Sequence, residues 1–494
     1  MEKSERMLID ENKPIAEKLK AIGAAFIIGL LVNYFFTEDD IGVSAVIYHG
    51  VVILGAIWIL HRKIDLNKSI SYIFLVPIVL LSSTYAIYNN EVLRTINSML
   101  IPLLIVSYIL IIRYEEIKEI KLDLLARIVE RILPESFATI PKLFDFTKEI
   151  IRSRKKSKMN GTQKNILRGL LLSLPLLLVI IGLLASADRV FQYYVEDLGN
   201  LFGKLDLFNF LGDCIIVIPI TLYMFGFLWS FQYENKVDRE AINIKRIEWE
   251  PITLITIIFT INIVYLLFTV IQFSYLYAEG AQLPMGFSHA VYARKGFFEL
   301  VFVTIINFII LSTSMKFCKR DNLKVNKIAN VSYSLLIGFT FNMLFSANYK
   351  MNMYEKMFGY TRLRLFVQVF MLLLAILLII VLVGIWMKKV PVLKLIIIAT
   401  MVVYIGLNFM NVDKIIAKNN IERYKMDQKI DMDYLESLSF DAFDEVAKLV
   451  DSKETKIQIK TIQYMKRKIK SIKDSYDHWY EYNYYKGNIL KRYQ

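Results

Sequence analysis

From residue 365 the chain reads LFVQVFMLLLAILLIIVLVGIW to 386, with Gln368 the one strongly polar side chain in the block. A helix needs about 20 such residues to cross about 30 Å of hydrocarbon. Apolar blocks of this length recur along the chain. They predict further spans at about 21–36, 41–60, 70–88, 96–112, 167–186, 209–231, 251–278, 291–315, 328–347 and 391–411. The pattern is thus that of an all-α, polytopic transmembrane helix bundle with about 11 spans.

The blocks divide the chain into five regions. Residues 1–20 form a charged N-terminus, 21–112 a four-helix membrane region, and 113–164 a basic connection. A seven-helix core follows over 165–411, then a helical tail over 412–494. Within the connection, IKLDLLARIVERIL repeats apolar residues at helical spacing, which fits a helix lying on a membrane surface. A solvated basic linker fits the same residues. The tail segment IQIKTIQYMKRKIKSI is amphipathic with a basic face, and Ser439 stands where an N-cap to the following acidic helix is expected.

Charge adds orientation. Short loops on the cytoplasmic side favour Lys and Arg. Alternate connections carry 33 of these residues on one side and 9 on the other. This predicts a cytoplasmic N-terminus and, with eleven spans, an extracytoplasmic tail, in a multi-pass protein of a bacterial plasma (inner) membrane. No secretory leader is read in the first twenty residues. The net charge of +14 calls for no nucleic-acid partner, because most of the excess falls in loops that face anionic headgroups. The 113–164 connection is the densest of these and the expected site of anionic lipid contact.

Composition agrees: 55% of residues are hydrophobic and the mean hydropathy is +0.43. Cys214 and Cys318 are expected toward opposite faces, which supports neither a disulfide framework nor a thiolate site. The four histidines are far apart in sequence, and no phosphate loop, zinc-protease motif or nucleophile elbow is present. Neither a metal nor a cofactor is expected.

Polar residues inside membrane segments are costly and face other helices or wet cavities. Here they gather at the expected outer ends of spans. Asp188 and Arg189 end the fifth, and Asp213 starts the sixth. His289, Tyr292, Arg294 and Glu299 open the eighth. Arg362 and Arg364 precede the tenth, and Asn408, Asn411 and Asp413 close the eleventh. Tyr292, Gly296, Glu299 and Asn307 share a helix face, Lys295 and Glu299 are spaced to pair, and Arg294 is expected to meet Asp188, Asp213 or Asp413.

Four stretches, LPLLLVIIGLLASADRVF (174–191), YARKGFFEL (292–300), GYTRLRLFV (359–367) and NVDKIIAKNNIERY with IDMDYLESLSFDAF (411–443), resemble a family of bacterial polytopic membrane proteins catalogued only as a domain of unknown function. The resemblance covers roughly 165–445 and implies a multi-spanning protein, without a reaction or ligand. Its matched polar positions are Asp188, Tyr292, Arg294, Glu299, Arg362, Asn411 and Asp413. The tail departs from the family pattern after the DA pair, where DAFDEVAKLV continues as an acidic helix.

Three functions are open to such a chain. The leading one is a non-enzymatic envelope protein that binds a small ligand, lipid or partner protein at a charged outer pocket, for sensing or assembly. A transporter with an outer charged site is the second. The third is a membrane enzyme acting on a lipid or lipid-linked substrate through outer carboxylates. The charges could equally staple helices together.

Overall fold

The computed structural model describes residues 13–36, 40–60, 69–113, 123–154, 169, 173, 180, 184, 187–191, 207–233, 250–272, 297–317, 323–387, 389–475 and 478–493. Among them there is no β-strand. The helices are α1 (Ile15–Phe36), α2 (Val43–Ile59), α3 (Ser69–Ile87), α4 (Glu91–Arg113), α5 (Asp123–Glu130), α6 (Ser136–Thr139) and α7 (Pro141–Arg154). After these come α8 (Leu207–Ser230), α9 (Pro251–Gln272), α10 (Phe297–Phe317), α11 (Leu323–Phe358), α12 (Arg362–Trp386) and α13 (Val392–Phe409). The tail adds α14 (Val412–Asp427), α15 (Met432–Glu436), α16 (Phe443–Ala447), α17 (Thr455–Asp474) and α18 (Tyr484–Tyr493).

Eight of the described helices are long and apolar enough to cross a membrane, and two shorter apolar stretches, Ser71–Ile87 and Phe298–Ser314, accompany them. The expected span at 167–186 lies largely outside the described residues. Boundaries differ from the hydropathy pattern where a charge finds a partner. α1 begins at Ile15, six residues before the apolar block, because Lys18 is buried and donates to both carboxylate oxygens of Glu149 at 2.9 and 2.7 Å. α11 runs for 36 residues, about 54 Å, so it extends well past the thickness of a bilayer.

The chain forms two compact units. One holds 1–87, 97–235 and 474–483, and the other holds 88–96, 236–473 and 484–494. In the first, α1 packs along α8 and α2 lies against α1 and α3. Ala21, Ala24, Ala25, Ile28 and Gly29 make the buried face of α1, and Gly29 lies directly against Thr221 and the Val217 carbonyl of α8. Small residues at such a crossing let two backbones approach, which drives helix association where no water is expelled.

In the second unit α11 is the central helix, packed by α9, α10 and α12. Its core is Leu311, Leu336, Ala347, Met351 and Leu378 with their neighbours. α9, α10 and α12 leave Phe259, Leu267, Phe302 and Leu372 exposed, and α13 leaves Val402 exposed. Those outward apolar faces are what a helix surrounded by acyl chains presents.

Polar side chains are also spread through this interior. Tyr265 Oη donates to Asn307 Oδ1 at 2.8 Å, and Asn307 Nδ2 donates to Thr340 Oγ1 at 3.0 Å. Gln272 reaches Ser346 at 2.8 Å, and Asn262 donates to the Ser332 carbonyl at 3.0 Å. Hydrogen bonds of this kind between spans contribute about 0.6 kcal/mol each on average.

A charged cluster at the head of the tail

The second unit concentrates its charge where α13 gives way to α14. Asn411 adopts a left-handed conformation, φ 50°, which asparagine tolerates better than most residues. Its Oδ1 accepts from the Lys414 backbone N–H at 3.2 Å, capping α14, while its Nδ2 donates to Tyr485 Oη at 2.7 Å. This turn puts Asp413 in the first turn of α14, where a carboxylate complements the helix dipole, and aims it inward.

Asp413 is fully buried. Its Oδ1 accepts from Arg362 Nε at 2.7 Å and from Asn90 Nδ2 at 3.0 Å. Its Oδ2 accepts from Arg362 Nη2 at 2.6 Å and from the Ser439 backbone N–H at 3.0 Å. The arginine contact is thus bidentate, the strongest common ion-pair geometry. A carboxylate offers about four acceptor positions, and all four are met by the chain. Arg362 itself is fixed further, since its backbone N–H donates to Tyr434 Oη at 2.8 Å and its Nη2 reaches the Ser437 carbonyl at 3.3 Å.

Beside it lies a second buried carboxylate. Both oxygens of Asp441 accept from the Asn89 backbone N–H at 2.9 Å. Burial pushes its pKa up to about 6, with the nearby Asp413 charge adding to the rise, against the pull of the Asn89 bond. Lys468 donates to the Leu438 carbonyl at 3.0 Å and stands 4.6 Å from the Phe440 ring centre, with Lys486 on the same ring at 4.8 Å. Burial lowers the Lys468 pKa. Tyr88 stacks on Tyr485 at 5.8 Å and donates to the Phe409 carbonyl at 3.0 Å.

The raised pKa has a testable sign. Between about pH 4 and 6 the folded chain holds a proton on Asp441 that the unfolded chain has lost, so stability falls as pH rises through that window. Thermal unfolding in detergent should show wild type gaining stability from pH 7 to pH 5 relative to Asp441→Asn. An equal pH response in the two proteins contradicts the assignment.

The other expected site residues are distributed as follows. Arg364 lies over the Tyr354 ring at 4.3 Å and donates to the Gly359 carbonyl. Asn408 is buried and donates to the Tyr404 carbonyl at 3.0 Å. Glu299 is exposed, within electrostatic reach of Lys350. In the first unit, Asp213 is exposed and accepts from Asn33 at 2.8 Å. Asp188 caps its own turn through the Val190 and Phe191 N–H groups at 2.7 and 3.1 Å, with Arg189 exposed next to it. His289, Tyr292, Arg294, Lys295 and Gly296 lie outside the described residues. Asp413, one of three carboxylates expected for Arg294, is taken by Arg362.

The structure therefore joins Arg362, Asn411 and Asp413 and adds Asn89, Asn90, Tyr434, Ser439, Asp441, Lys468 and Lys486. Ser439 makes no side-chain cap bond; its N–H serves Asp413 instead. The signal for the asparagines was the polar break YNNEV between two apolar runs, and for Asp441 its place in SFDAF. Among the described residues no three His, Cys, Asp or Glu side chains converge as metal ligands.

Fold and cluster together define a multi-pass α-helical protein with helices suited to a bilayer and a tail held by one ion pair on a buried carboxylate, Arg362–Asp413. A family model described as Domain of unknown function (DUF4153) matches residues 75–449. The chain belongs to that family. No curated protein and no solved structure matches it.

Proposed function

We propose that this is a non-enzymatic integral protein of the cell envelope whose tail is a rigid platform for a partner or small ligand, in sensing or assembly. The observation that carries this reading is the saturation of Asp413. A general acid or base must exchange a proton with a substrate, and this carboxylate has every acceptor position occupied by the chain's own donors. The cluster is built to hold the tail in place.

The tail is read as extracytoplasmic. The 33-to-9 asymmetry of basic residues favours a cytoplasmic N-terminus. Within the first unit, Tyr480 packs on Tyr34 and Phe35 at 4.9 and 5.3 Å. Those rings stand at the opposite end of α1 from Ile15, which supports opposite faces for the N-terminus and the 478–483 segment. Glu299, with His289, Tyr292 and Arg294 close by in sequence, belongs to the proposed ligand-binding side.

The test uses Lys491, which is exposed on α18. Lys491→Cys in a cysteine-free background should react with an impermeant thiol reagent in intact cells; protection there and labelling only after lysis overturns the sidedness. A photo-reactive residue at exposed Tyr484 should then give a discrete adduct that Asp413→Ala abolishes. An adduct pattern unchanged by Asp413→Ala overturns the platform reading.

A further inference from the structure

The connection between α4 and α8 has the wrong polarity for a segment bathed in water. Along one side of the 126–144 stretch, Val129, Leu133, Pro134, Phe137 and Phe144 are all exposed, Val129, Leu133 and Phe137 by 56%, 53% and 58%. Of the charged and hydroxyl residues, Arg131, Glu135, Ser136 and Thr139 are buried, and Arg127, Glu130 and Lys142 are half-buried. A helix lying on a soluble protein shows the reverse.

Its contacts trace a descent along α8. The Arg131 guanidinium donates to the Ser230 and Tyr233 carbonyls at the end of that helix. About two turns back along α8, Tyr223 Oη donates to the Ile132 carbonyl at 3.1 Å. Phe137 packs on the Tyr223 ring at 5.8 Å, and Gly226 lies against the Ser136 carbonyl with no room for a Cβ. From Ser230 back to Tyr223 is about 10 Å along the helix axis. The chain then returns through α7. Phe146 meets Phe225 and Trp229 at 5.9 and 4.9 Å, and Glu149 ends the climb at Lys18, near the start of α1.

The backbone is provided for as a membrane requires. A single π turn at Arg131–Glu135 contains Pro134, so helical carbonyls there lose regular partners. Side-chain hydroxyls take their place. Ser136 Oγ donates to the Arg131 carbonyl at 2.6 Å, Thr139 Oγ1 to the Glu135 carbonyl at 2.6 Å, and Tyr223 to Ile132. Polar backbone at hydrocarbon depth is tolerated only when the protein satisfies it internally.

We infer that residues 126–144 form a re-entrant helical hairpin set into the leaflet nearest the N-terminus, with acyl chains covering the Val129–Leu133–Phe137–Phe144 face. The occupant follows from continuity, since the tip lies alongside a helix of membrane-spanning length and composition. Polar groups gather toward the mouth, where Asp145 and Lys148 pair at 3.2 Å and are exposed.

The test is site-directed spin labelling of the full chain in lipid nanodiscs, with Cys214 and Cys318 replaced by serine. Leu133→Cys, Phe137→Cys and Phe144→Cys labels should relax more with oxygen than with a water-soluble nickel chelate. They should resemble a label at lipid-facing Leu54, and the order should reverse at Lys148→Cys. Three positions are used so that one poorly folded variant does not decide the result. Greater access to nickel than to oxygen at 133 and 137 overturns the inference. Exclusion of both reagents overturns it too, and assigns the face to a protein partner or a second copy.

Discussion

Replacing Asp413 by alanine is expected to destabilise the second unit by about 3 kcal/mol, the loss typical of leaving one member of a buried pair without its partner. Four donors converge on this carboxylate. Without it, the Arg362 guanidinium keeps the Ser437 carbonyl, while Asn90 Nδ2 and the Ser439 N–H lose Asp413 as acceptor. Denaturant unfolding in detergent measures the change. Arg362→Ala should cost a similar amount, and the double variant clearly less than the sum, because both remove one interaction. A change below about 1 kcal/mol for Asp413→Ala, the range of exposed pairs, rejects the clamp.

Gly42→Ala is expected to expel the 480–482 segment from the first unit. A Cβ at Gly42 would fall on the carbonyls of Glu481 and Tyr482, and those are backbone atoms that cannot rotate aside. Overpacking against well-fixed atoms costs about 1–3 kcal/mol, comparable to what holds a short segment in place. The Asn483 side chain, which donates to the Tyr85 carbonyl at 3.0 Å, should be lost with it. Hydrogen exchange of residues 479–483 reports the event. Protection should drop in Gly42→Ala and persist in Gly50→Ala, inside the helix α2 that Gly42 precedes, where nothing lies within 4 Å of the added carbon. Equal protection in both variants contradicts the packing described for Gly42.

Hydropathy marked spans well because a bilayer imposes a length and a composition on any helix that crosses it. It missed the first two turns of α1, since Lys18 reads as a solvated charge until Glu149, far along the chain, is placed beside it. The end of α11 was missed for the same reason: Lys350 and Glu355 stop an apolar count without stopping a helix. Family motifs did point to Arg362, Asn411 and Asp413, yet the pairing among them was not legible. By sequence Asp413 was a candidate for Arg294, beside Asp188 and Asp213, and not for Arg362, because nothing in spacing chooses between residues on different helices. Asp441 and the two asparagines were passed over as site residues because a polar residue in a break between spans or in a tail is ordinarily just a surface residue.

The connection at 113–164 shows the same limit from the other side. Its helical periodicity was plain, and so was its amphipathic character. Periodicity says that one face is apolar; it does not say whether that face meets protein or lipid.

What the amino-acid order determined alone was the all-α architecture, the positions of most membrane helices and the charge bias between their loops. These follow from local rules of length, hydrophobicity and charge. Tertiary structure alone decided that Asp413 belongs to Arg362, that Asp441 is buried on the Asn89 N–H, and that the 126–144 stretch turns its apolar face outward. Each depends on which distant residue fills a polar group's remaining hydrogen-bond positions, and that is a property of packed helices rather than of any one of them.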